Sequence, residues 1–204
     1  VGHGLIDPQD ANNAEVARYW MRERGLVGFR LHPMYYPDEQ ILLAKANEPL
    51  WEELAELGAV VQFHMRAADA GQVAEIARRF PQLKLLIDHM GYPDLSEGAA
   101  AFQPIVDLAQ HEGVFVKISD VGGRSQEAFP FVDVHPYIRL LYDAFGSARL
   151  LWGTGYPGHH RSKHHWLSLA DELRLIREGI PFFGPRDQER ILGATAAGIW
   201  GWSI

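Results

Sequence analysis

The sequence predicts an α/β fold organised on a parallel sheet, and three observations carry that prediction. Short apolar runs alternate with longer stretches of helical period, the pattern of repeated strand–helix units. Several of the runs are apolar on both faces, as strands covered by helices are. The turn after the first run reads GLIDPQDANN and holds no GxGxxG, so a doubly wound dinucleotide-binding sheet loses its main support.

Six strands follow in order: VGHGLI at 1–6, LVGFRLH at 26–32, AVVQFHM at 59–65, LKLLIDH at 83–89, VFVKIS at 114–119 and ARLLWGT at 148–154. Helices are expected over 9–24, 38–57, 69–80, 97–111, 133–146, 164–178 and 185–198. Leu50, Leu54 and Leu57 recur at helical spacing, as do Val73, Ile76, Ala77 and Phe80, so each segment turns an apolar stripe to the sheet. Asp69 and the Ser96–Gly98 stretch suit helix starts, while Gly25, Gly58 and Gly113 sit where helices should stop. With no linker and no repeat, residues 1–204 read as one domain. Six units are two short of a closed eight-stranded barrel, and an open six-stranded sheet is the other solution; the count does not choose between them.

Composition narrows the partners. A net charge of −7, from 19 basic and 26 acidic residues spread along the chain, leaves no basic stripe for nucleic acid. The absence of cysteine excludes thiolate metal sites, catalytic thiols and disulfides, leaving histidine and carboxylate as the strong metal ligands. No apolar run approaches the roughly 20 residues of a membrane span. These features point to a soluble, cytoplasmic protein acting on a small molecule. Because the chain opens on Val1 and enters a strand at once, a preceding segment is expected.

Chemistry-bearing residues gather where strands end. Arg30 and His32 close the second strand, His64 the third, Asp88 and His89 the fourth, and Ser119 and Asp120 the fifth, with WGTGYPGHH after the sixth. Parallel strands of a barrel open on one face, so these side chains should converge on one pocket. A single histidine in such a place is commonly a satisfied core or capping residue; three strands ending in histidine argue for a site. Asp88 has the alternative role of orienting its neighbour, Ser119 and Asp120 that of capping, and His3 that of facing the interior.

The strings GLVGFRLHP, VQFHM, LLIDHMG, VFVKIS and LLWGTGYPG, in this order, resemble the amidohydrolase-related proteins, which include lactonases and decarboxylases. The resemblance runs over essentially the whole chain and implies a (β/α)8 barrel whose third to eighth strands are present here, with the first-strand HxH upstream. It implies that His64 is a metal ligand, that His89 ligates metal or handles water and substrate with Asp88 beside it, and that Arg30 grips a substrate carboxylate. His32, Tyr35 and His159 complete the substrate-binding set. The sequence departs from the family at Gly155, where an aspartate that binds metal and takes a proton is usual, so a zinc or manganese site is weakened or absent. A hydrolase acting on a small carboxylated substrate such as a lactone is the leading expectation. A nonoxidative decarboxylase and an inactive barrel serving as a binding module are the alternatives. With two units missing, the first and last strands would be open edges, from which a homo-oligomer is expected.

Overall fold

The structure is a computed structural model that describes residues 1–36, 40–156 and 168–203. Its single sheet holds six strands: β1 (His3–Leu5), β2 (Gly28–Leu31), β3 (Val60–Phe63), β4 (Lys84–Ile87), β5 (Val114–Ile118) and β6 (Leu150–Trp152). Every neighbouring pair is parallel, and the spatial order is the order in sequence. A doubly wound sheet reverses its strand order at a switch point. Here the order never reverses, as in a singly wound barrel. Strands β1 and β6 each pair with one strand only among the described residues, so the sheet is open.

The two faces are chemically different because side chains alternate along each strand. The outer face presents Phe29, Leu31, Val61, Phe63, Leu85, Ile87, Val114, Val116 and Ile118, all buried in the main core. Against it pack α1 (Asn13–Arg22), α2 (Glu48–Glu56), α3 (Ala70–Arg79), α4 (Ala99–Asp107) and α5 (His135–Phe145), through residues such as Leu50, Leu54, Val73, Ile76, Ile105, Ile138 and Leu141. The inner face is split by level. At its lower level Val60, Leu86 and Leu151 form a separate apolar cluster with Ile199, and Phe115 and Trp200 pack onto it. At its upper level the same alternation places Arg30, Gln62, Asp88 and Lys117 around one pocket.

Among the described residues the α-helices after β6 are α6 (Leu169–Arg174), α7 (Pro185–Glu189) and α8 (Thr195–Trp200). Ile199 and Trp200 of α8 reach under the inner face, and Lys84 Nζ on β4 donates to the Ile199 carbonyl at 2.6 Å, so the lower end of the inner face is covered from within the chain. The close approach of β2 and β3 depends on a glycine: a Cβ at Gly28 would lie 1.8 Å from the Val60 carbonyl oxygen.

Most expected elements form, several with shifted limits. The stretch 38–57 is a helix only over Glu48–Glu56, preceded by single turns at Ile41–Leu43 and Lys45–Asn47. Pro49 lacks the N–H that a helix running in from Lys45 would need. Gly25 and Gly58 follow α1 and α2 with φ of +73° and +64°, the left-handed conformation that ends a helix. Helix α6 starts at Leu169 because the Ser168 hydroxyl accepts from the Asp171 N–H at 3.1 Å. No helix among the described residues is long and apolar enough to cross a membrane.

Candidate active site

The upper inner face is a cavity of about 420 Å³ lined by strand-end residues: Arg30 from β2, Gln62 from β3 and His64 just after it, Asp88 and His89 after β4, Lys117 from β5 with Ser119 and Asp120 just after it, and Gly153 to Tyr156 after β6. At its centre is Asp88, 2% exposed. Arg30 Nε donates to its Oδ2 at 2.5 Å, and Lys117 Nζ lies 2.8 Å from its Oδ1. Lys117 also donates to Gln62 Oε1. Burial alone would raise the Asp88 carboxyl, but the Lys117 ammonium and Arg30 guanidinium outweigh it and hold Asp88 below the ordinary carboxylate value.

The guanidinium of Arg30 also fixes the histidines. Its Nη2 is 2.7 Å from His64 Nδ1 and 3.5 Å from His89 Nε2. Because an arginine can only donate, His64 Nδ1 is an acceptor and the proton sits on Nε2, from which it faces the Tyr35 hydroxyl at 3.1 Å. His89 Nδ1 meets Ser119 Oγ at 2.9 Å, which leaves Nε2 as the ring atom turned toward Arg30. The two rings have centroids 5.8 Å apart, so the histidines of separate strands do converge.

His89 owes its position to a left-handed turn. His89, Met90, Gly91 and Tyr92 have φ of +51°, +58°, +71° and +52°, three of them non-glycine residues for which this conformation costs about 1–2 kcal/mol each. The turn sets the Tyr92 ring 4.8 Å from His64 and 5.2 Å from His89, with Arg124 stacked 4.9 Å from the ring centroid. Past Tyr92 a larger cleft of about 790 Å³ continues between Arg66 and Arg124.

Burial and neighbouring cations keep these imidazoles uncharged. His64 is lowered to about 3 by burial first, then by Arg30 and its histidine neighbours. His89 is lowered to about 4 by burial, with Arg30, Lys117 and Arg124 pushing the same way and Asp88 opposing. His32 is lowered by burial and then by Arg30; its ring packs 5.0 Å from His64 and 5.6 Å from Tyr35, behind the pocket wall. His3 sits low on the inner face, where Trp200 Nε1 donates to its Nε2 at 3.1 Å, so its role is packing and hydrogen bonding beneath the site.

The structure thus brings Arg30, His64, Asp88 and His89 together and sets His32 and Tyr35 beside His64. His159 lies outside the described residues. Lys117, Gln62 and Tyr92 were not among the expected site residues. Lys117 did leave a signal: a charged residue inside the apolar run VFVKIS, two positions before Ser119 and therefore on the same face.

His64, Asp88 and His89 each offer one ligand atom, and these atoms lie within 4.8 Å of one another, a spacing that could hold a metal ion. The surroundings do not fit one. Both Asp88 oxygens face a cation, and the Arg30 guanidinium reaches both ring nitrogens that would bind metal. With neutral imidazoles, one carboxylate against a guanidinium and an ammonium already carries positive charge before any ion enters.

Three comparisons accord with this architecture. The chain is 31% identical over 169 residues to the L-fucono-1,5-lactonase of Burkholderia ambifaria, covering 78% of this chain and 54% of that protein. It is 29% identical over 143 residues to a 2-pyrone-4,6-dicarboxylate hydrolase of Comamonas testosteroni, covering 65% of this chain and 45% of the relative. It thus spans about half the length of these curated relatives. The fold superposes on a crystal structure of an amidohydrolase from Burkholderia multivorans with bound zinc at a TM-score of 0.79 and 20% identity, over 98% of this chain and 73% of that one. The amidohydrolase family profile matches residues 1–202, and the chain belongs to the amidohydrolase family.

Proposed function

We propose that this site opens a small, carboxylate-bearing lactone by hydrolysis, with His89 as the base. The observation that carries the reading is the His89 ring: its Nδ1 is engaged by Ser119, its Nε2 faces the cavity, and it stays neutral beside a fixed guanidinium. A neutral imidazole whose Nε2 has only a long 3.5 Å contact with Arg30 can accept a proton from water, and a cation held nearby favours the negative charge that develops on the attacked carbonyl oxygen.

In this reading Arg30 is positioned by Asp88, and its Nη1, the nitrogen not engaged by Asp88, His64 or His89, receives the carbonyl oxygen or the substrate carboxylate. His89 Nε2 takes a proton as water oxygen bonds to the carbonyl carbon. The ring C–O bond then breaks, and the departing oxygen takes that proton back, which yields the hydroxy acid and restores neutral His89. His64 forms the wall on one side with His32 packed behind it, and the Tyr35 hydroxyl beside His64 is available to substrate. His159 remains the further substrate-binding candidate after β6. The named activities of the lactonase and pyrone hydrolase relatives support ring opening as the reaction class.

A panel of carboxylated lactones and aromatic acids tests the reading. Incubation with the purified chain should open one or more lactones, followed by NMR as loss of the ring ester. Release of carbon dioxide from an aromatic acid, with no lactone turned over, would replace hydrolysis by decarboxylation.

A further inference from the structure

Lys117 is a charged group of the cavity to which the hydrolytic scheme gives no step. It is an ammonium on the inner face of an otherwise apolar strand, with a side chain 20% exposed, bound to Gln62 Oε1 and 2.8 Å from Asp88 Oδ1. We propose that Lys117 keeps divalent metal off this site, and that removing its charge turns His64, Asp88 and His89 into a working zinc site.

The geometry of the ligands is already present, since their donor atoms lie within 4.8 Å of one another. What opposes an ion is charge. Asp88 contributes one negative charge, Arg30 and Lys117 one positive charge each, so the cluster carries a net +1 with both histidines neutral. A divalent ion would take it to +3. An ammonium a few ångströms from a divalent ion weakens binding by roughly 100-fold or more, even at the effective dielectric of a protein surface.

Lys117 is the stronger barrier of the two cations. Arg30 is the more exposed of the two, with a side chain 29% exposed against 20%, and the proposal requires an arriving ion to displace its guanidinium from the ring nitrogens. Lys117 is tethered between Gln62 and Asp88 and covers the carboxylate oxygen that Arg30 leaves. Without its charge, Asp88 Oδ1 becomes an available anionic ligand, and two imidazoles with one carboxylate make a three-ligand set with a position left for water. The inference stands apart from the lactone reading, because it concerns metal affinity and not turnover.

Zinc titration by calorimetry, with metal analysis after dialysis, tests it on four forms of the chain: wild type, Lys117→Met, Lys117→Gln and Lys117→Arg. Wild type and Lys117→Arg should hold no stoichiometric zinc at low micromolar metal. Lys117→Met and Lys117→Gln should each take up one zinc per chain, at least about 100-fold more tightly than wild type, and adding His64→Ala should abolish the gain. Circular dichroism establishes that each neutral variant is folded. The proposal is overturned if wild type or Lys117→Arg holds one zinc that His64→Ala removes. It is equally overturned if a folded neutral variant gains none, or if the gained zinc survives His64→Ala. The wild-type and Lys117→Arg measurements decide even where a neutral variant does not fold.

Discussion

Replacing Asp88 with asparagine should lower the melting temperature by roughly 10 °C. Asp88 is 2% exposed, and its two oxygens face Arg30 at 2.5 Å and Lys117 at 2.8 Å. The substitution keeps size and one carbonyl oxygen, so cavity formation contributes little. What it removes is the one negative charge compensating two partly buried cations. Breaking a buried pair from one side costs about 3–5 kcal/mol, and in a chain of this size each kcal/mol is worth about 2–4 °C. Arg30 would also lose the anchor that aims it at His64 and His89, so activity should fall with stability. Thermal unfolding followed by circular dichroism checks the first effect, and a melting temperature within a few degrees of wild type would show that Asp88 is not the centre of the cluster.

His89→Asn should reduce kcat by about 10²–10⁴, the usual contribution of a positioned general base, with a much smaller change in KM. Asparagine is the informative replacement because it tolerates the left-handed backbone that His89 adopts at φ +51°, where alanine would add strain of its own. The melting temperature should therefore stay near that of wild type, which separates loss of a base from loss of the turn. Steady-state kinetics on whichever lactone the panel identifies provides the measurement; retention of full kcat would remove His89 from the chemistry.

The pattern of the sheet was legible in the sequence because buried parallel strands are short apolar runs, and because residues ending them share a rim. Arg30, His64, Asp88 and His89 could be picked out for that reason. Other features were not legible. Strand count could not choose between an open doubly wound sheet and a barrel segment; that needed the strand order, which is a long-range property. Lys117 interrupts an apolar run, but that it and Gln62 meet beside Asp88 follows only from the register that places them on the inner face. Tyr92 depends on a left-handed turn at His89 and Met90, where side-chain type gives no warning of positive φ. The late start of α2, at Glu48, was not legible either, since the consequence of Pro49 for the preceding turn competes with a good apolar period.

The acid side of the pH profile tests most directly whether a neutral His89 does the work. The base must be unprotonated, and burial first, with Arg30 and Lys117 adding to it, lowers His89 to about 4. An ordinary histidine would lose activity below about 6.5. Stability moves in the same direction: between about 6.5 and 4 the unfolded chain binds protons that the folded one refuses, so stability is full above that window and falls as pH drops through it. Rates are therefore read at short times, within the folded range. The account predicts that kcat/KM for lactone opening stays level from pH 8 down to about 5, bends toward an apparent pKa of about 4, and loses that bend in His89→Asn. A limb near 6.5, or one that survives His89→Asn unchanged, would contradict it.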